Sequence, residues 1–186
     1  QGWINSFKEL DKAELDKVID TAIHPKTGGI KMGEIMHLID EKTNGNAIIV
    51  PDVGQHQMYA MRYYTYNLPN SWVSSGGLGT MGFSLPAAIG AQMAAPERTV
   101  VAIIGDGCFQ MTIQELGTIW QQKLPIKIVI FNNNYLGMVR QWQQLFFDNR
   151  YSQVELKNPD FVAISKGFGI ASSKVAEREN LSAALD

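Results

Sequence analysis

A chain of 186 residues, 45% apolar and 18% charged, is long enough for one sizeable core and far from the composition of a disordered segment. A net charge of −2 with no Lys/Arg block excludes an electrostatic footprint for nucleic acid or an anionic membrane. The single cysteine, Cys108, excludes an intrachain disulfide framework and any multi-cysteine metal cluster, so a reducing, cytoplasmic setting is expected.

No stretch approaches the ~18 apolar residues of a membrane span, and Gln1-Gly2-Trp3 has neither the basic start nor the apolar core of a signal peptide. The chain opens without methionine and closes in LSAALD, a helix-like run. It therefore reads as a stretch of a longer polypeptide, with part of any shared active site expected outside it.

In chain order, KELDKAELDKVID (8–20) predicts a charged helix with Leu10, Leu15, Val18 and Ile19 as inner positions, broken by His24-Pro25 and Gly28-Gly29. IKMGEIMHLIDEK (30–42) predicts a second helix, with Ile35, Met36 and Ile39 facing inward and Asn44-Gly45 as its exit. AIIVPD (47–52) predicts a short buried strand, and a helix is expected over about 55–64. A glycine-rich loop and an alanine-rich helix follow within 74–96, and TVVAIIGD (99–106) and IKIVIF (126–131) are β-branched runs of the kind covered on both faces.

Between those two strands, TIQELGTIWQQ (112–122) predicts a crossover helix, giving a right-handed βαβ unit. LGMVRQWQQLF (136–146) and NPDFVAISKGFG (158–169) predict two further helices, and IASSKV and ERENLSAALD a last strand and helix. The fold class expected is α/β, doubly wound, a mainly parallel sheet with helices on both faces. Such sheets bind ligands beyond the carboxyl ends of their strands.

GDG (105–107) and NNN (132–134) both fall at such ends, one crossover apart. An aspartate oxygen, an asparagine amide oxygen and a backbone carbonyl make an all-oxygen set suited to Mg²⁺ beside a phosphate. Gly105 and Gly107 would let backbone N–H groups approach a diphosphate. Alone, GDG reads as a turn, and NNN as a run of turn residues.

The spacing is more specific: GDG, twenty-four residues, then NN. In this the chain resembles the thiamine diphosphate (ThDP) enzymes. DVGQHQM (52–58), SGGLGTMGFSLPAAIGA (75–91), GDGCFQMTIQEL (105–116) and NNNYLGMVRQWQQLFF (132–147) resemble the acetohydroxyacid (acetolactate) synthase large subunits within that class. The resemblance covers roughly residues 30–170 and implies the thiamine diphosphate-binding fold. Residues 1–25 are then a linker or lead-in, and 26–186 a diphosphate-binding domain.

It further implies Asp106 and Asn133 as metal ligands through side-chain oxygens, and Tyr135 through its backbone carbonyl. Gln55 and His56 would meet the diphosphate, with backbone groups of Gly79, Gly105, Gly107, Cys108 and Gly137. Met81 would wedge beneath the cofactor, with Met138 beside it. Met138, Val139 and Trp142 would line the substrate pocket, the tryptophan helping to select the second 2-ketoacid. Taken singly, His56 reads as an exposed or capping histidine, Met81 and Met138 as core filler, Trp142 as part of an amphipathic stripe, and Cys108 as inert packing.

The implied activity is a transferase reaction: ThDP- and Mg²⁺-dependent condensation of pyruvate with pyruvate or 2-ketobutyrate, giving 2-acetolactate or 2-aceto-2-hydroxybutyrate for branched-chain amino-acid biosynthesis. The family's activating glutamate belongs to a pyrimidine-binding domain, expected on a neighbouring subunit of a homo-oligomer, so no catalytic residue is assigned within these 186. FAD is compatible with the full enzyme, its site lying elsewhere. The alternative is another ThDP-dependent 2-ketoacid decarboxylase or carboligase, against which DVGQHQM together with GMVRQWQ argues. No nucleic acid and no membrane are expected as partners.

Overall fold

A computed structural model describes residues 2–186; Gln1 lies outside them. Its centre is a parallel sheet of three strands, β1 (Ile48–Pro51), β2 (Val100–Gly105) and β3 (Lys127–Phe131), in the order β1-β2-β3. All six residues of β2 are buried, and the reason is the two-residue period of a strand. Val100, Ala102 and Ile104 enter one core cluster with Ile48 and Val50, while Val101 and Ile103 enter a second with Ile49 on the opposite face. A run apolar at every position is what a sheet covered on both sides needs.

Helices supply the covers. On one face lie α3 (Met32–Thr43) and α4 (Gln55–Tyr63), contributing Met36, Ile39, Ala60 and Tyr63. On the other lie α5 (Ser84–Ala94), α6 (Asp106–Met111) and α7 (Glu115–Gln121), contributing Leu85, Ala88, Phe109, Leu116 and Ile119. The exit of α3 at Asn44 is as expected: its φ of 49° is left-handed, a conformation asparagine tolerates.

Four expectations change. The N-terminal region forms α1 (Gly2–Glu14), a wider π-type turn over Leu15–Ile19 and α2 (Asp20–Ile23), but Leu10, Leu15 and Val18 are exposed. Only Ile19, Ala22 and Ile23 reach the second core cluster, so the apolar side of α1 has no covering element among the described residues. The crossover from β2 to β3 is two helices rather than one. Asp106 itself opens α6, and the chain breaks at Thr112, whose hydroxyl donates to the Gly82 carbonyl at 3.0 Å.

The third and fourth changes lie toward the C-terminus. After α8 (Gly137–Phe146), the next helix, α9, is confined to Phe161–Gly167, because Asp160 caps it by accepting from the N–H groups of Val162 and Ala163. Asn158 is thereby left in the loop ahead of Pro159. IASSKV forms no strand. Ile170 packs against the first core cluster, and Arg178 crosses to α3, where Nε donates to Glu34 at 2.7 Å, so this segment never runs beside β3. A single turn, α10 (Leu181–Ala184), follows and buries Leu181.

Candidate functional site

Three helices begin at the carboxyl end of the sheet, at Gln55, Asp106 and Gly137, preceded by Gly54, Gly105 and Leu136. None of these three preceding residues caps its helix with a side chain, which is equally true of α5 and α7, so what sets the three apart is that they converge on one place. Helix N-termini carry partial positive charge and unpaired N–H groups, so they attract anions. All three open on one cavity. Gln55, His56, Met81, Gly105, Asp106, Gly107, Cys108, Asn133, Tyr135, Gly137, Met138 and Val139 line it; Gly79 and Trp142 do not.

Its enclosed part is only about 60 Å³, well below the roughly 300–1,000 Å³ of a pocket that swallows a whole small molecule. It adjoins an open groove of about 880 Å³ between α4 and α8, sharing Gln55, Asn133, Tyr135 and Gly137 with it. The side-chain amide of Gln55 donates to Gln141 at 2.9 Å, joining the two helices at the boundary.

Asp106 is buried at the mouth of this cavity. Its Oδ2 accepts from the Asn134 N–H at 2.7 Å and from the Asn158 side-chain amide at 2.7 Å, while Oδ1 accepts only from its neighbour Gly107 at 2.9 Å. Opposite, Asn133 lines the cavity, and its amide oxygen accepts from Tyr135 N–H at 3.0 Å. The loop carrying these residues is held as a strand-like bridge. Leu136 N–H donates to Val154 and Leu156 N–H to Asn134, leaving the carbonyl of Tyr135 turned away from Glu155. Asp106, Asn133 and Tyr135 all line this one cavity, and they carry oxygen atoms of the kind a hard cation accepts.

His56 stands between two aspartates. A Cβ on Gly54 or on Gly105 would come within 2.8 Å of its Cε1, so the two glycines make room for the ring. For Gly105 this is a different use from close approach to a diphosphate. Burial lowers the His56 pKa to about 4, outweighing the charges of Asp52 and Asp106 that raise it. Its Nε2 is buried with no hydrogen-bond partner among the described residues, and the ring lines the cavity.

Asp52, His56 and Cys108 bring ligand-type atoms within 4.8 Å of one another, but the protein already uses two of them. Asp52 Oδ1 accepts from Val53 and Gly82, and Oδ2 from Ser84. Cys108 donates to the Val53 carbonyl, and burial pushes its thiol well above the usual range. This cluster is a hydrogen-bonded knot tying β1 to the loop that carries Met81. Asp52 was given no role from its residue type; only the three donors converging on it reveal one.

On α8, Val139, Trp142, Leu145 and Phe146 are exposed, and Trp142 rests on Phe146 with ring centroids 4.9 Å apart. Arg140 lies with its guanidinium carbon 4.1 Å from the centre of the Tyr135 ring and 5.0 Å from that of Tyr151. It braces the loop bearing Asn133 by cation–π contact.

Residues 52–186 match the family described as thiamine pyrophosphate enzyme, C-terminal TPP binding domain. The chain belongs to that family. As a thiamine pyrophosphate-binding domain it is similar to the acetolactate synthase isozyme 2 large subunit of Escherichia coli K12, at 48% identity over 82% of this chain and 28% of that one. It is 40% identical to the acetolactate synthase large subunit of Haemophilus influenzae, over 98% of this chain and 30% of the relative. Against the chloroplastic acetolactate synthase 2 of Zea mays, identity is 49% over 81% and 25%.

The ThDP-dependent 4-hydroxybenzoylformate decarboxylase of Rhodococcus jostii superposes with a TM-score of 0.79 at 28% identity, over 86% of this chain and 30% of that structure. The chain spans between a quarter and about three tenths of the length of these curated relatives. The site fits the diphosphate of the family's cofactor, on the grounds of the three uncapped N-termini and the orphaned His56 nitrogen. No helix among the described residues is long and apolar enough to cross a membrane.

Proposed function

We propose that this chain is the diphosphate- and metal-binding part of an acetolactate synthase large subunit. The whole enzyme would join pyruvate to a second pyruvate or to 2-ketobutyrate, yielding 2-acetolactate or 2-aceto-2-hydroxybutyrate for branched-chain amino acids. The observation that carries this reading is the convergence of three uncapped helix N-termini on a cavity bearing Asp106 and an unpartnered His56, in a chain 40–49% identical to acetolactate synthases.

ThDP, when bound, supplies the nucleophilic carbon and the electron sink for decarboxylating a 2-ketoacid. This chain's residues do the holding. Asp106 and Asn133 offer side-chain oxygens, and Tyr135 its carbonyl, to Mg²⁺. His56, Gln55 and the N–H groups at the starts of α4, α6 and α8 face the diphosphate charge. Met81, brought to the cavity on a loop anchored by Asp52, would offer the cofactor an apolar support. Val139 and Trp142 on the open side of α8, with Met138 in the cavity, suit a substrate pocket closed by another domain.

The exposed apolar side chains of α8, with Met58 and Met61 of α4, support a homo-oligomer in which a neighbouring subunit's pyrimidine-binding domain covers the groove and brings the activating glutamate. The 186 residues alone are then inactive, and FAD, if the full enzyme uses it, binds outside them. A cytoplasmic location completes the reading.

The test is a substrate panel on the full-length enzyme with ThDP and Mg²⁺. Acetolactate from pyruvate is the expected product; turnover of aromatic 2-ketoacids alone would move the assignment to the decarboxylases. Turnover of pyruvate by the isolated 186 residues would refute the need for a second domain.

A further inference from the structure

Asn158 lies in the loop before α9, outside the cavity and outside every motif discussed above. Yet its side-chain nitrogen sits 2.7 Å from Asp106 Oδ2, 2.8 Å from the amide oxygen of Asn132 and 3.2 Å from that of Asn134. Three oxygens from two different strand ends thus converge on one NH₂ group. Its orientation is determined by chemistry. The Asn158 oxygen accepts from the Gln110 side-chain amide at 2.9 Å, and a reversed amide would set its oxygen against the Asp106 carboxylate.

We propose that Asn158 is a positioning residue for the metal ligands, an inference that rests on the metal reading of Asp106 and Asn133. With Oδ2 taken by Asn134 N–H and by Asn158, the Asp106 carboxylate cannot rotate freely. Oδ1, which accepts only from Gly107, keeps a lone pair for a cation. The same NH₂ group draws Asn132 and Asn134 to its own side of the loop, with Asn134 in a left-handed conformation at φ 62°, and Asn133, between them, lines the cavity. One amide therefore sets both the rotamer of the aspartate and the facing of the asparagine. It links the end of β2, which carries Asp106, to the end of β3, which carries Asn133.

The test uses the full-length enzyme with saturating ThDP, carrying Asn158→Ala, Asn158→Asp or Asp106→Ala. Mg²⁺ affinity is read by titration calorimetry, and the melting point is read with EDTA present. Loss of a group that orients a metal ligand weakens metal binding by about 10- to 100-fold, so both Asn158 variants should show a Mg²⁺ Kd raised at least about tenfold, with little change in metal-free melting. Excess Mg²⁺ should restore their ThDP binding.

A folded variant of either kind that binds Mg²⁺ as tightly as the unsubstituted enzyme overturns the inference, as does a lowered metal-free melting point without loss of Mg²⁺ affinity. Asp106→Ala separates the two levels. If it too binds Mg²⁺ normally, the metal reading fails and this inference with it; if only the Asn158 variants do, the metal reading stands and this inference alone is lost.

Discussion

Asp52 and Asp106 stand just beyond neighbouring parallel strands, both buried, at 1% and 2% exposure, and each accepts three hydrogen bonds. Their donors differ. Those on Asp52 include the backbone N–H groups of Gly82 and Ser84, both buried. Those on Asp106 include Asn134, which is exposed, and the Asn158 side chain, and Asp106 itself lines the cavity. The same residue at the same level of the fold serves as a knot of buried donors in one place and lines the cavity in the other. What decides is whether its donors can turn back to water.

That contrast is open to direct attack. The largest effect expected is on binding: Asp106→Ala in the full-length enzyme should abolish Mg²⁺-dependent ThDP binding while metal-free stability falls by no more than about 1 kcal/mol, its donors being rehydrated. Unchanged ThDP affinity by calorimetry would refute the ligand role. Asp52→Ala should do the reverse, costing about 3 kcal/mol in denaturant unfolding because buried N–H groups lose their acceptor. A loss under 1 kcal/mol would show that the knot is dispensable.

His56, flanked by both carboxylates, sharpens the comparison through pH. Its folded pKa of about 4 lies below the unfolded value of 6.5, so between these values the unfolded chain binds a proton that the folded one refuses. The cofactor-free protein should hold its full His56 contribution above pH 6.5 and lose up to about 3 kcal/mol as pH falls toward 4. His56→Gln should flatten that part of the stability curve; an unaltered slope would mean the ring is not buried neutral. The smallest effect on folding is expected at Trp142, on the open side of α8. Trp142→Ala should shift stability within about 0.5 kcal/mol, yet change the ratio of 2-aceto-2-hydroxybutyrate to 2-acetolactate in competition assays.

Much of this was legible in the residues. The runs AIIV, TVVAIIG and IKIVIF are strands because a sheet covered on both faces wants apolar side chains at every position, and a parallel pair one crossover apart brings GDG and NNN together. The apolar stripe of α1 misled, since a helical period says that one face wants cover and not that the chain provides it. IASSKV misled too: it is strand-like in composition and β3, paired only with β2, leaves an edge open, yet the segment does not lie along it.

Local pattern determined the strands, most of the helices and the end of the sheet where chemistry gathers, because side-chain periodicity and turn residues act over a few positions. Only the tertiary structure decided which donors reach each aspartate, and that Asn158, fifty-two residues beyond Asp106, is one of them. Those outcomes depend on which donors arrive from distant loops and how deeply they are buried, and no short stretch of sequence carries that information.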